Sequence, residues 1–495
     1  MVQPERPNVH LHIGSKRLSH GSGGTYEHIN PSTGDVDARV PHAGPAEVDA
    51  AVEAANTAFQ TWRRWRPTAR RDVLIRLANL IGERAKTIGD YATMDSGLPV
   101  SITGFHGPFA QSWIAYYAGL ADKIDGEVTS SYAWDSDFAY THREPIGVIG
   151  MFPTWNGPAS NLCMKAGAAL AAGNTIVAKQ SEYSPFSLEV LMDLIREAGI
   201  PDGVVNVIHG GPAAGEALVA HPKVRKVSFT GGPTGARKIL ATCAQHIKPA
   251  VLELGGKSAN IVFADANLDA AAQYAALFSV GLISGQGCAF PTRLLVQDTV
   301  YEEMIERVVA AARSFKIGDP WDPTTVIGPV ISEASVHRIL GVVERAKTSG
   351  AGKLVLGGKR VGGQFANGFY VEPTIFRDLQ NESELAQKEI FGPVLGIMKF
   401  SSDEEAVRLA NATEYGLAAY IQSKDLERVH RVASQLNAGG VYVNGAKAVV
   451  PNTPFGGLGI SGFGREGGRA GIDEFLQPKT VQIGSLSATA GASFP

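Results

Sequence analysis

From residue 145 the chain repeats an arrangement that few folds accept: a short apolar run, a helix-length segment bounded by proline or glycine, then another apolar run. Gly147-Val148-Ile149-Gly150-Met151-Phe152 comes first, a helix is expected from Pro158 to just before Gly173, and Thr175-Ile176-Val177-Ala178 follows. Proline suits the first helical turn and glycine the position past the last, and Pro185 and Gly199 bracket the next helix with the same polarity. Residues 204–208, 227–230, 251–254 and 261–263 are further strand candidates separated by short helices. This alternation predicts an α/β fold built on a doubly wound, Rossmann-type parallel sheet, the natural frame of a nucleotide site.

The rest of the chain extends that frame. At 495 residues it exceeds what one hydrophobic core supports, so two or three substructures are expected. Val48, Val52, Ala55, Phe59 and Trp62 form one helical stripe, and Val73, Leu77, Leu80, Ile81 and Ile88 form a second. Past residue 258 a second α/β region begins, in which the apolar segment 270–282 reads as a core helix ending shortly before Cys288. Residues 479–483 alternate like an exposed strand suited to pairing with another subunit.

Composition narrows the function classes. A net charge of -3 without a basic block argues against nucleic acid as a partner. Three widely spaced cysteines, Cys163, Cys243 and Cys288, suit reduced thiols and imply neither a disulfide frame nor a metal. No apolar signal core opens the chain and no apolar run reaches the ~18 residues of a membrane span. A cytoplasmic protein without membrane contact is expected.

Two segments carry chemistry. Glu253-Leu254-Gly255-Gly256-Lys257-Ser258 is followed, thirty-five residues after the Glu, by Gly285-Gln286-Gly287-Cys288. A carboxylate and a thiol set among small residues are the parts for covalent catalysis followed by hydrolysis, although each alone is compatible with a structural role. Phe229-Thr230-Gly231-Gly232-Pro233-Thr234-Gly235 joins a strand to a helix, and its free backbone N–H groups suit either pyrophosphate or a tight turn.

With Trp155-Asn156, Lys179 and Glu182, Glu389-Ile390-Phe391-Gly392-Pro393, and Pro454-Phe455-Gly456-Gly457 ahead of Ser461-Gly462-Phe463-Gly464-Arg465-Glu466, seven motifs stand in order along nearly the whole length. The chain resembles the NAD(P)-dependent aldehyde dehydrogenase family. The resemblance implies a Rossmann-type cofactor domain over residues 1–124 and 145–255, a catalytic α/β domain over 256–460, and oligomerisation strands within 125–144 and 475–490. A homo-oligomer, dimer or tetramer, is expected. It also implies that Cys288 attacks the aldehyde, that Asn156 and the Cys288 backbone N–H hold the oxyanion, and that Glu253 activates water to clear the thioester. Lys165 and Glu466 match proton-relay positions.

Lys179 and Glu182 match the adenosine-ribose positions, and a carboxylate there favours NAD over NADP. Glu389 and Phe391 match the nicotinamide-ribose positions, Trp155, Gly231 and Gly232 the pyrophosphate end, and Phe152, Thr230 and Leu254 complete the expected cofactor set. Gly232 stands where many members have a phosphate-binding serine, and Gly459 where many have lysine. The substrate tunnel is expected at Phe109, Trp113, Gly157, Ser160, Asn161, Met164, Leu282, Phe290, Val449 and Phe455. It carries neither an arginine at Met164 nor an aromatic cage, which points to an uncharged aldehyde, bulky aromatic or medium-chain aliphatic. A CoA-acylating dehydrogenase and a non-catalytic NAD-binding protein are the alternative functions.

Overall fold

Pro158 and Gly173 bound a helix as their chemistry predicts: the computed structural model, which describes residues 3–130 and 137–484, has it over Pro158–Ala172 with Gly173 left-handed at φ +97°. Its run of small residues lets it lie close to the helix His106–Ala118; a Cβ on Gly167 would come 3.0 Å from the Tyr117 ring. The strand before it, Val148–Phe152, is wholly buried, and a Cβ on Gly150 would stand 3.2 Å from Val224.

Five parallel strands form the centre of the first sheet, in the spatial order Ala250–Glu253, Val224–Thr230, Val148–Phe152, Thr175–Gln180, Val205–His209. Chain order runs outward in both directions from Val148–Phe152, so the doubly wound topology holds and its switch point lies between that strand and Val224–Thr230. Ligands of such sheets bind at the carboxyl ends beside the switch point. Antiparallel strands close the two sides: Leu11–Ile13 with Lys16–Leu18 on one, and Gly462–Phe463 from near the end of the chain on the other.

The strand expected at residues 261–263 is Ala259–Val262, and it lies in the other sheet, between Arg293–Gln297 and Ala418–Gln422. The glycine pair Gly255-Gly256 carries the chain across, which an apolar run alone does not reveal. This second sheet has seven strands, parallel except for Lys353–Leu356 at one edge.

Residues 270–282 do not form one helix. An α-helix over Leu268–Ala276 widens into a π turn at Leu277–Gly281 and tightens into a 3₁₀ turn at Leu282–Gly285. Ile283, Ser284 and Gly285 take φ of 43°, 52° and 71°. Left-handed backbone at a β-branched residue costs on the order of 1–3 kcal/mol, and the surroundings hold it in place. Ser284 Oγ donates to the Gly328 carbonyl at 2.8 Å, and Gln286 donates to the Ile283 carbonyl at 3.0 Å while accepting from the Ile331 N–H at 2.9 Å. The strain lies immediately before the nucleophile candidate.

Leu476–Ile483 pairs antiparallel with Phe138–Pro145 along its whole length, and Val128–Thr129 adds a third strand. Within the segments expected to join subunits, residues 131–136 and 485–490 lie outside the described residues.

Candidate active site

The carboxyl ends of the first sheet and the amino ends of the second face one crevice. Phe152, Lys179, Thr230 and Glu253 end or nearly end strands of the first, while Cys288 precedes the strand Arg293–Gln297 and Phe391 precedes Val394–Phe400 in the second. Asn156 joins the two sides by donating from Nδ2 to the Gln286 carbonyl at 2.7 Å. The second N–H on that nitrogen is the one available to an oxyanion.

Cys288 is half-buried, and its thiol is pushed up to about 12 by burial, with the charges of Glu389 and Glu253 adding to the effect. The resting group is therefore a thiol, and activation needs positive charge or donors supplied at the site. Glycines make its loop possible. A Cβ on Gly256 would come 2.5 Å from the Cys288 carbonyl oxygen, and one on Gly287 2.7 Å from the Phe290 ring.

Glu253 is buried, and neither carboxylate oxygen has a hydrogen-bond partner among the described residues. Burial raises its pKa well above the usual carboxylate range, the charge of Glu466 raises it further, and Lys165 and Arg465 oppose the shift. Lys165, itself buried, donates to Glu466 and, at 3.1 Å, to Ser228 Oγ. Gly456 lies against Glu253, where a Cβ would come 2.8 Å from Oε1. A buried carboxylate with raised proton affinity, close to a thiol and backed by a lysine–glutamate pair, suits general-base chemistry.

The residues expected to hold the cofactor lie at or near the same strand ends. Lys179 Nζ lies 3.6 Å from Glu182, Phe152 packs edge-on to Phe229 at 6.0 Å, and Trp155 stands edge-on to Phe391 at 5.5 Å. Gly231 donates to the Glu253 carbonyl at 3.1 Å and Leu254 to the Ser461 carbonyl at 3.0 Å. Glu389 accepts from the Gly256 N–H at 3.1 Å, and burial pushes its carboxyl up to about 7. Phe391 is left-handed at φ 51°. Thr230 Oγ1 has no hydrogen-bond partner among the described residues.

A dinucleotide fits this donor set: ribose hydroxyls suit Glu182 and Glu389, and phosphates suit the N–H groups opening the helix Pro233–Gln245. Gly232 caps that helix without a side chain, and a Cβ there would meet nothing within 4 Å. The replacement Gly232→Ser is expected to fit and to lower KM for NAD about fivefold, through a hydroxyl bond to a charged phosphate; steady-state titration of NAD measures this.

A model of the aldehyde dehydrogenase family matches residues 18–481. The chain belongs to the aldehyde dehydrogenase family. It is 40% identical over 482 residues to aldehyde dehydrogenase 1 of Tanacetum cinerariifolium, covering 95% of this chain and 94% of that one. A betaine aldehyde dehydrogenase of Cereibacter sphaeroides is 37% identical, with 97% and 98% covered. The crystal structure of an indole-3-acetaldehyde dehydrogenase with NAD+ superposes with a TM-score of 0.93 at 35% identity, covering 97% of each chain.

In this aldehyde dehydrogenase the residues expected to line a substrate tunnel divide between two clusters. Trp113, Met164 and Phe455 are buried in one core cluster, with Phe109, Val449 and Cys288 packed against it. Leu282 and Phe290 pack instead against a smaller cluster of Leu98, Ile102 and Ile283. Gly157 and Ser160 lie together, Ser160 Oγ donating to the Gly157 carbonyl at 3.0 Å. Asn161 braces the loop by accepting the Thr154 N–H at 3.1 Å.

The sequence reading overlooked two groups. Ser461 Oγ donates to the Gly255 carbonyl at 2.7 Å and accepts from Gly416, fixing the glycine crossing. Lys257 is buried, its ammonium has no hydrogen-bond partner among the described residues, and burial pulls its pKa down to about 7. Their place within the quoted Gly-Gly-Lys and Ser-Gly-Phe-Gly motifs was the available signal.

Proposed function

We propose that the protein oxidises an uncharged bulky aromatic or medium-chain aliphatic aldehyde to its carboxylic acid, using NAD, through a thioester on Cys288. The observation that carries the hydrolytic outcome is Glu253: buried, without a hydrogen-bond partner among the described residues, raised in pKa and close enough to Cys288 for its charge to raise the thiol.

Cys288 first loses its thiol proton to solvent, the thiolate Sγ bonds to the carbonyl carbon, and the oxygen that gains the C=O electron pair lies with Asn156 Nδ2 and the Cys288 backbone N–H as donors. Each such donor is typically worth about 3 kcal/mol in the transition state. Trp155, Lys179, Glu182, Glu389 and Phe391 would hold NAD, which when bound would supply the acceptor for the hydride lost from the substrate carbon as that oxygen re-forms its double bond. Glu253 then takes a proton from water as the water oxygen bonds to the acyl carbon, the C–S bond breaks, and the thiolate is restored. Lys165 and Glu466 stand next in line for the proton.

The substrate reading rests on the apolar wall of Phe109, Trp113, Met164, Val449 and Phe455. A relative is named for betaine aldehyde, a cation; Phe109, Trp113 and Phe455 offer ring faces, but none of the five wall residues is acidic, and the uncharged reading rests on that lack of opposing charge. Benzaldehyde-type and medium-chain alkyl aldehydes are expected to exceed a carboxylate-bearing semialdehyde and betaine aldehyde in kcat/KM by at least about tenfold. A charged aldehyde with the highest value contradicts the reading, and acyl-CoA formation on adding CoA contradicts the hydrolytic outcome. Homo-oligomer formation is supported by the three-stranded sheet, which exposes Val128, Phe138 and Ile483.

A further inference from the structure

His28, in the strand Thr25–Ile29, is only 1% exposed, yet its ring faces three acceptors. Nδ1 lies 2.5 Å from Asp37 Oδ1, and Nε2 lies 3.1 Å from the Asp95 carbonyl and 3.2 Å from the Tyr183 carbonyl. A neutral imidazole has one N–H; two nitrogens that both face acceptors are satisfied only by imidazolium. On the far side of Asp37, Arg6 NH2 lies 3.0 Å from Oδ2.

Other groups close the site. The Asp95 carboxylate accepts the Phe186 and Ser187 N–H groups at 2.5 and 3.1 Å, opening the helix Phe186–Glu197. The Phe186 ring meets His28 edge-on at 4.9 Å, and Tyr26, from His28's own strand, meets Tyr183 edge-on at 5.9 Å. Glu182 is the next acidic side chain, close enough to perturb both tyrosines. Burial alone would lower the pKa of His28, but the hydrogen bond and charge of Asp37, with Asp95 behind it, raise it above the ordinary histidine value.

The Tyr183 carbonyl belongs to the turn that begins at Glu182. We propose that His28, as a buried imidazolium, is a positioning residue that holds this turn in register for the adenosine ribose, so that NAD affinity falls when the ring loses its proton. The proposal rests on the reading of Glu182 as a ribose ligand. The neutral ring keeps its N–H toward Asp37 and turns a lone pair toward two carbonyl oxygens, which drives the turn away. Because the folded pKa is raised, the tie is complete below the ordinary histidine range and is lost as pH rises through the raised value.

Calorimetric titration of the full-length wild type, His28→Gln and Glu182→Gln with NAD, from about pH 7 to about pH 10 in buffers of differing ionisation enthalpy, tests this. The wild type is expected to lose about tenfold in affinity on the alkaline side, with proton uptake on binding. His28→Gln, whose amide donates but does not titrate, is expected to show neither. An alkaline loss and proton uptake unchanged in His28→Gln overturn the proposal, as does a wild-type affinity independent of pH. Unchanged affinity in Glu182→Gln removes the ribose reading itself, whereas weakened Glu182→Gln beside a His28→Gln that keeps the wild-type pH dependence refutes His28 alone. Histidine C2-hydrogen exchange read by mass spectrometry gives an answer without a variant. By reciprocity NAD should raise the pKa of His28 in the wild type, and no shift contradicts the coupling.

Discussion

Replacing Cys288 by alanine is expected to lower kcat/KM for aldehyde oxidation by at least about 10⁴-fold while leaving NAD binding largely intact. Sγ is the atom that bonds to substrate, and the other two cysteines cannot take its place: Cys163 is buried with its thiol pushed up to about 12, and Cys243 is buried within the first sheet's core. The loss should be one of chemistry and not of fold. The left-handed turn before Cys288 is held by Ser284, Gln286 and the Ile331 N–H, none of which involves the thiol. Turnover assays paired with calorimetric NAD titration check both halves; substantial turnover in the variant would remove Cys288 from the mechanism.

How far the sequence revealed this site depends on which physical signal each part carries. Pro158, Gly173 and the apolar runs around them marked a helix and two strands because capping and burial are local constraints. The alternation pointed to a doubly wound parallel sheet, whereas the strand order and the switch point appear only in the strand pairing. The break in residues 268–285 was not legible, since a nearly all-apolar segment has no period with which to distinguish an α-helix from successive π and 3₁₀ turns. The sheet to which Ala259–Val262 belongs was illegible for a related reason: the crossing is made by two glycines whose necessity appears only in contacts with Glu389 and the Cys288 carbonyl. Cys288 and Glu253 were recognisable as candidates, but their electrostatic coupling, and the Lys165–Glu466 pair behind Glu253, join residues up to 301 positions apart. The histidine that ties the Glu182 turn gave no signal at all, because its partners are two backbone carbonyls and a carboxylate on the neighbouring strand.

Glu253→Gln is expected to reduce steady-state kcat by about 10²–10⁴-fold while preserving a first turnover, seen as a burst of NADH close to one per active site. The amide keeps the shape and position of the carboxyl and removes its proton affinity, so thioester formation proceeds and its hydrolysis stalls. In the parent enzyme kcat should fall as pH drops through the raised pKa of Glu253, because only the ionised carboxylate accepts the proton of water. The variant's residual rate should lack that limb. Stopped-flow absorbance of NADH separates the two phases, and a normal steady state without a burst would show that Glu253 is not the base.

The account stands most directly on the covalent state of that stalled enzyme. Intact-mass and peptide mass spectrometry of Glu253→Gln, quenched in acid after mixing with NAD and an aromatic aldehyde, should find the mass of the aldehyde less two hydrogens on the peptide containing Cys288. An unmodified Cys288, or the same added mass on another residue, would contradict it.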